Sequence, residues 1–301
     1  MGRLNIYVPD EVHRLAAKWR GAINLSEVCA RALREELQAA ESGRAAGRLA
    51  GVLRSPSARE RGVARRFNLA DVVISDEPTA DADRRDVLGQ TAAAYVDRVL
   101  SDGALMAVCG GRQMWSVVRN VSPRSVRVTM TASGFGQSDP TVLHAHPNTL
   151  VTLLWLLFSP KAQAHLVGAR AARKLWDAAL ARKEADAVQF VVLASCASFD
   201  AKSPLAGLLE RDDAAELARG RADADFAYTF LSKSGAVVPF APSGPHFVLD
   251  AETLQRLARR RDARVVLVAG GRDKERVMRA VLEHRLCNTL ITDTATAQRL
   301  A

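Results

Sequence analysis

The sequence predicts a doubly wound α/β fold with a mostly parallel sheet, preceded by a small basic module. Three observations predict it. From Phe67 onward, short apolar runs alternate with amphipathic stretches at helical spacing, the pattern of buried strands joined by crossover helices. Several of those runs end in small residues, at 109–111, 194–198 and 269–271, and the strand ends of such a sheet are where ligands sit. The charge is also uneven. Of a net +9, residues 1–66 hold 13 Lys/Arg against 7 Asp/Glu, while the other 235 residues hold 29 against 26. A basic surplus confined to the first fifth of a chain marks a module for nucleic acid joined to a nearly neutral body.

The basic module comes first. In "RLNIYV" (3–8) polar and apolar residues alternate, so Leu4, Ile6 and Val8 share one face of a strand and Arg3, Asn5 and Tyr7 the other. A lone strand leaves backbone groups unpaired, so its partner is either a distant strand of this chain or the same strand of a second copy. Pro9, Asp10 and Glu11 suit a first helical turn, and Val12, Leu15, Ala16 and Trp19 recur at helical spacing up to Gly21. Asn24 caps a second helix, with Glu27 three residues on as in a capping box. Leu25, Val28, Cys29, Ala32, Leu33 and Leu37 form its apolar stripe. Residues 42–66 read as a connector, partly helical. Gly43, Gly47 and Gly51 weaken any helix there and Pro56 breaks it, while seven Arg against one Glu offer unspecific phosphate contacts.

In the body, "DVVIS" (71–75), "GALMAVC" (103–109), "SVRVTMTAS" (125–133), "AVQFVVLASC" (187–196) and "RVVLVAGG" (264–271) are apolar enough for buried strands. Helices are predicted over 81–100, 146–158, 170–183 and 274–283, with another beginning at "MWSVVRNV". Three strand-end loops then converge as a candidate pocket: Cys109-Gly110-Gly111-Arg112-Gln113, the stretch 194–198 around Ser195, and 269–274 with Gly270, Gly271 and Lys274. Small residues let a ligand approach the backbone, helix N-termini offer N–H groups to an anion, and Lys274 adds a point charge.

Other patterns are excluded or weakly supported. Cys29, Cys109, Cys196 and Cys287 lie far apart with no Cys-x-x-Cys pair. That is neither a zinc nor a disulfide framework, and it fits a reducing cytoplasm. The longest uncharged apolar run, "TLLWLLF" (152–158), is too short for a bilayer, and residues 1–20 lack the apolar core of a signal peptide. "HAHPN" (144–148) has no third ligand at metal spacing and reads as a loop with a helix cap at Pro147. Ser195 and Cys196 lie in no nucleophile elbow. Cys109 before a helix is a candidate low-pKa thiol, outweighed by its reading as a small loop residue. "RLARRRDAR" (256–264) reads as the solvated end of a surface helix.

Residues 2–40 resemble the ribbon-helix-helix DNA-binding family, on "RLNIYVP" and "INLSEVCARALREEL". The resemblance implies that two chains pair their strands into an antiparallel ribbon lying in the major groove. Arg3, Asn5 and Tyr7 would then face DNA, Arg and Asn being suited to guanine and adenine edges. The backbone around Leu25 and Ser26 would hold a phosphate.

Residues 67–301 resemble the sugar-binding domain of SorC-type transcriptional regulators, whose fold is related to sugar-phosphate isomerases. The resemblance rests on "VVLVAGGRDKERVMRAVLEHRLCNTLITDTATAQRL" (265–300), "LGQTAAAYVDRVLSDGALMAVCGGR" (88–112) and "ADFAYTFLSKSGAVV" (224–238). It implies binding, without turnover, of a phosphorylated sugar or related metabolite. Asp225 joins the three loops as a candidate effector residue. The chain departs from the family pattern at Gln113, where a hydroxyl residue is usual, at Ala132, where Arg is frequent, and at Ser195 and Ala197, where glycines are usual. Lys274, Gly270, Gly271 and Asp293 match it. Most such regulators carry a helix-turn-helix where this chain resembles a ribbon-helix-helix.

The expectation is therefore a cytoplasmic transcriptional regulator, read as a repressor. It has three parts: a DNA-binding and dimerising segment (1–41), a basic linker (42–66) and a SorC-like effector domain (67–301). Its expected partners are a double-stranded DNA operator, a small-molecule effector such as a sugar phosphate, and itself as dimer or tetramer. No cofactor, metal, membrane or catalytic residue is expected. Two alternatives stand beside it: an isomerase- or deaminase-like enzyme, with Asp200, Asp225 and Asp293 as candidate bases, and a ligand-free architectural DNA-binding oligomer.

Overall fold

The computed structural model of the chain describes residues 56–76, 83–135, 140–182, 188–200, 203, 205–244 and 246–301. Arg3, Asn5, Tyr7, Leu25 and Ser26 lie outside the described residues, as do segment 1–41 and residues 42–55 of the linker. Among the described residues, no helix is long and apolar enough to cross a membrane.

The described chain opens with α1 (Ala58–Phe67), which the sequence reading assigned almost wholly to the basic connector. Its start is a capping box. Ser57 Oγ accepts from the Glu60 amide at 3.2 Å, and Glu60 Oε2 accepts from the Ser57 amide at 2.5 Å. The other Glu60 oxygen reaches across to accept from the Ile74 amide at 2.8 Å. Val63 and Phe67 are buried, and Asn68 ends the helix in the left-handed region. Pro56 thus precedes a helix that belongs to the body. The packing of α1 is hidden in the sequence because the helix is so rich in arginine that its buried side, Glu60, Val63 and Phe67, is only three residues wide.

The remaining elements are β1 (Asp71–Ser75), α2 (Arg84–Val99), β2 (Ala104–Cys109), α3 (Arg112–Val118), β3 (Val128–Phe135), a 3-10 turn (Pro140–Ala145), α4 (Pro147–Phe158), β4 (Gln163–His165), α5 (Arg170–Leu180), β5 (Phe190–Ala194), β6 (Cys196–Ser198), a 3-10 turn (Ala206–Leu208), α6 (Arg211–Arg219), β7 (Ala222–Phe226), β8 (Thr229–Ser232), β9 (Val237–Val238), β10 (His246–Phe247), α7 (Ala251–Ala258), β11 (Ala263–Val268), a 3-10 turn (Arg272–Lys274), α8 (Glu275–Glu283), β12 (Thr289–Asp293) and α9 (Thr294–Leu300).

The main sheet runs β1-β12-β11-β5-β2-β3-β10, with β4 also paired to β3. Every pairing in it is parallel except β10 with β3. Period-two alternation sends each strand's side chains into two separate cores. Leu105, Ala107, Val192, Val265 and Leu267 pack beneath one face, with Trp176 of α5 and Leu254 of α7. Met106, Val108, Val191, Val266 and Ile291 pack beneath the other, with α2, α3 and α4. Buried Trp176 also donates its ring N–H to Thr131 Oγ1 at 3.1 Å, which satisfies both polar groups.

A second sheet, β6-β7-β8-β9, is antiparallel. It packs with α6 around Phe199, Leu217, Phe230 and Val238. β5 feeds it directly: the strand breaks at Ser195 and resumes as β6, which pairs with β7. Among the parallel strands, β2 is followed by β3 on one side and β5 by β11 on the other. The gap between the ends of β2 and β5 is therefore the switch point where open α/β sheets bind ligands.

Candidate functional site

A cleft of about 540 Å³ opens at that switch point. The end of β2 and start of α3 supply Cys109, Gly110, Gly111, Arg112 and Gln113 to its lining. The break after β5 supplies Ser195, the hairpin of the second sheet supplies Asp225, and the turn before α8 supplies Lys274. Eight sequence-predicted residues therefore meet in one place although β2 and α8 are far apart in the chain.

Gly270 and Gly271 are not among the residues that line this cleft. A Cβ on Gly270 would stand 2.1 Å from Asp293 Oδ2, and the Gly271 amide donates to Thr296 Oγ1 at 2.9 Å. These glycines let the loop press against the start of α9. Asp293 is the cap there, its two oxygens accepting from the Thr296 amide at 2.7 Å and hydroxyl at 2.9 Å. Arg84 Nε lies 3.2 Å from it. Asp293 is 1% exposed and is not among the residues that line the cleft. Asp200 is at the cleft rim.

Sequence reasoning missed Arg85, His146 and Tyr228, which also line the cleft. His146 caps α4, its Nδ1 accepting from the Asn148 amide at 3.2 Å, and His144 stacks edge-on with Trp115 at 5.4 Å. The two histidines thus have separate structural roles.

Tyr228 comes from a two-residue hairpin, since Phe226 pairs with Thr229. Such a loop requires left-handed backbone at both positions and favours Asn-Gly. Here Ala227 (φ 52°) and Tyr228 (φ 65°) adopt it, at about 1–2 kcal/mol each. The ring crosses to the main sheet, where Tyr228 Oη accepts from the Gly110 amide at 3.1 Å. A Cβ on Gly110 or Gly134 would lie 2.9 Å from that hydroxyl oxygen, so both glycines make room for it. Phe135 packs edge-on against the ring at 5.1 Å.

Electrostatically the cleft is mixed. Arg85, Arg112 and Lys274 face Asp200, Asp225 and Asp273. Burial pushes the Asp225 carboxyl up to about 7, against the Tyr228 backbone N–H and Lys274, which favour its charged form. Burial likewise pushes the Cys109 and Cys196 thiols up to about 12. Neither carries a thiolate at neutral pH, which removes the oxidant-sensing reading of Cys109. Among the described residues, no group of three or more His, Cys, Asp or Glu is arranged to hold a metal.

A family model described as a sugar-binding domain matches residues 53–301. No curated protein matches the chain. Solved structures do match in fold. The full-length sorbitol operon regulator SorC from Klebsiella pneumoniae is 19% identical with a TM-score of 0.59, over 96% of this chain and 97% of that one. A probable sor operon regulator from Shigella flexneri is 19% identical with a TM-score of 0.62, over 80% and 98%. A DeoR family transcriptional regulator from Listeria monocytogenes is 14% identical with a TM-score of 0.60, over 81% and 98%.

Proposed function

Since the chain belongs to the sugar-binding domain family, we propose that it is a metabolite-responsive transcriptional regulator, with its effector in the switch-point cleft and its DNA contacts in the first 41 residues. The observation that carries this reading is the cleft itself. It gathers loops from both sheets at the one point of the topology suited to a small ligand, within a domain of the family's extent. The neighbours named as operon and transcriptional regulators support it.

The DNA-binding part rests on the sequence. Arg3, Asn5 and Tyr7 read base edges from a ribbon shared by two chains, and the backbone at Leu25 and Ser26 holds a phosphate. The working unit is then at least a dimer on a palindromic or repeated operator, acting in the cytoplasm as a repressor. The effector domain begins at α1, so the connector is shorter than the span 42–66. Effector binding changes the arrangement of subunits and with it the spacing of the ribbons. This requires different affinity for the two arrangements.

The test is binding to labelled DNA from upstream of the protein's own gene, across a salt series, beside the double variant Arg3→Ala, Asn5→Ala. Binding that resists competitor DNA and is lost in the variant supports the ribbon. Equal, salt-sensitive binding by both proteins refutes it.

One observation favours an isomerase- or deaminase-like enzyme instead: Asp225, in the cleft, titrates near neutrality, as a general acid or base should. Conversion of added sugar phosphates, followed by NMR and lost in Asp225→Asn, would establish that reading over the regulator.

A further inference from the structure

The ligand's charge class follows from three features of the cleft, given the reading of it as the effector site. The first is the state of the backbone donors. A glycine loop holds a phosphate with its N–H groups, and here those groups are engaged within the protein. Gly110 donates to Tyr228 Oη at 3.1 Å and Gly111 to the Ala145 carbonyl at 2.8 Å. The Gln113 side chain donates to the Arg85 carbonyl at 3.0 Å, leaving no hydroxyl at the position.

The second feature is the charge lining. Arg85, Arg112 and Lys274 are set against Asp200, Asp273 and a partly protonated Asp225, so little basic surplus is left for a phosphate dianion. Carboxylates accept hydrogen bonds from ligand hydroxyls and repel phosphate.

The third is the firmness with which Tyr228 is held. Two non-glycine residues in the left-handed region persist where the surroundings over-determine them. Gly110 and Gly134 on one side and Phe135 on the other supply that enclosure.

We propose that the cleft takes an uncharged polyhydroxylated ligand, a sugar or sugar alcohol without a phosphate, with Tyr228 Oη occupying the Gly110 N–H and Asp225 accepting from ligand hydroxyls. At neutral pH the Asp225 carboxyl is also partly protonated, so it can donate to a hydroxyl oxygen as well.

The experiment is a melting-temperature and calorimetric titration of the full chain with matched pairs: aldoses, ketoses and alditols, each beside its phosphate monoester. The proposal expects a neutral member to bind at least about tenfold more tightly than its ester, with inorganic phosphate failing to displace it. Asp225→Asn would weaken that neutral ligand. An ester that binds as well as its parent sugar or better overturns the ligand class and leaves the metabolite-responsive reading intact. If neither series stabilises the protein, the cleft is not a sugar site and both readings fall, because a ligand of the folded state must raise stability.

Discussion

Replacing Asp225 by Asn tests the electrostatics of the cleft most directly. In the unfolded chain this carboxyl titrates near 3.8, and in the fold burial raises it to about 7. Below the unfolded value both states hold the proton and nothing is lost. As pH rises through the interval, the unfolded chain ionises while the folded one keeps its proton, so stability falls; above about 7 the deficit is complete. Full retention of the shift corresponds to ~4 kcal/mol. One side of the cleft is open to water, and solvent screening reduces this to about 2 kcal/mol. Asparagine keeps the shape and an acceptor for the Tyr228 amide but has no charge to desolvate. The variant should therefore be more stable than the parent at pH 8 by about 2 kcal/mol, and by less at pH 5. Urea denaturation of both proteins across this range reads the gap, and titrating groups common to both cancel. A gap that is equal at the two pH values, or of opposite sign, refutes burial as the dominant influence on Asp225.

Two further substitutions separate fold from site. Glu60→Ala removes the acceptor of the Ser57 and Ile74 amides, so unfolding should become easier by about 2–3 kcal/mol. No loss would mean that α1 is not part of the effector domain's cooperative unit. Gly270→Ala drives a methyl into Asp293 and should cost about 2–3 kcal/mol through the disrupted α9 cap. Calorimetric affinity of the folded variant for a cleft ligand should stay unchanged, whereas a tenfold loss would return Gly270 to the binding surface.

The central strands were legible because each is a run of five or six apolar residues with polar ends. β1 was read to the residue, β2 and β5 lie inside the runs read for them, and β11 begins one residue before its run. The second sheet was not legible. β6 and β7 read "CAS" and "ADADF", too short and mixed to show alternation, and the hairpin between β7 and β8 uses Ala-Tyr instead of a turn dipeptide. Tyr228, the residue that most shapes the cleft floor, was hidden for that reason. The glycine loops were legible as small-residue clusters, but not in their purpose. Gly110 serves the ring of Tyr228, while Gly270 and Gly271 serve the packing of α9, and no local pattern distinguishes a glycine that admits a ligand from one that admits a neighbouring helix.

The contact between the turn at Gly271 and α9 shortens a long path. In chain order, the cleft residue Lys274 and the helix α1 stand at opposite ends of the described protein. In space, the Gly271 amide holds Thr296 on α9. That helix packs against α1, and Arg66 of α1 donates to the carbonyl of Ala301 just beyond α9. The place where the polypeptide enters this domain is thus two packed elements away from the loop bearing Lys274. A single short helix, and no strand of the sheet, stands between that loop and the entry point.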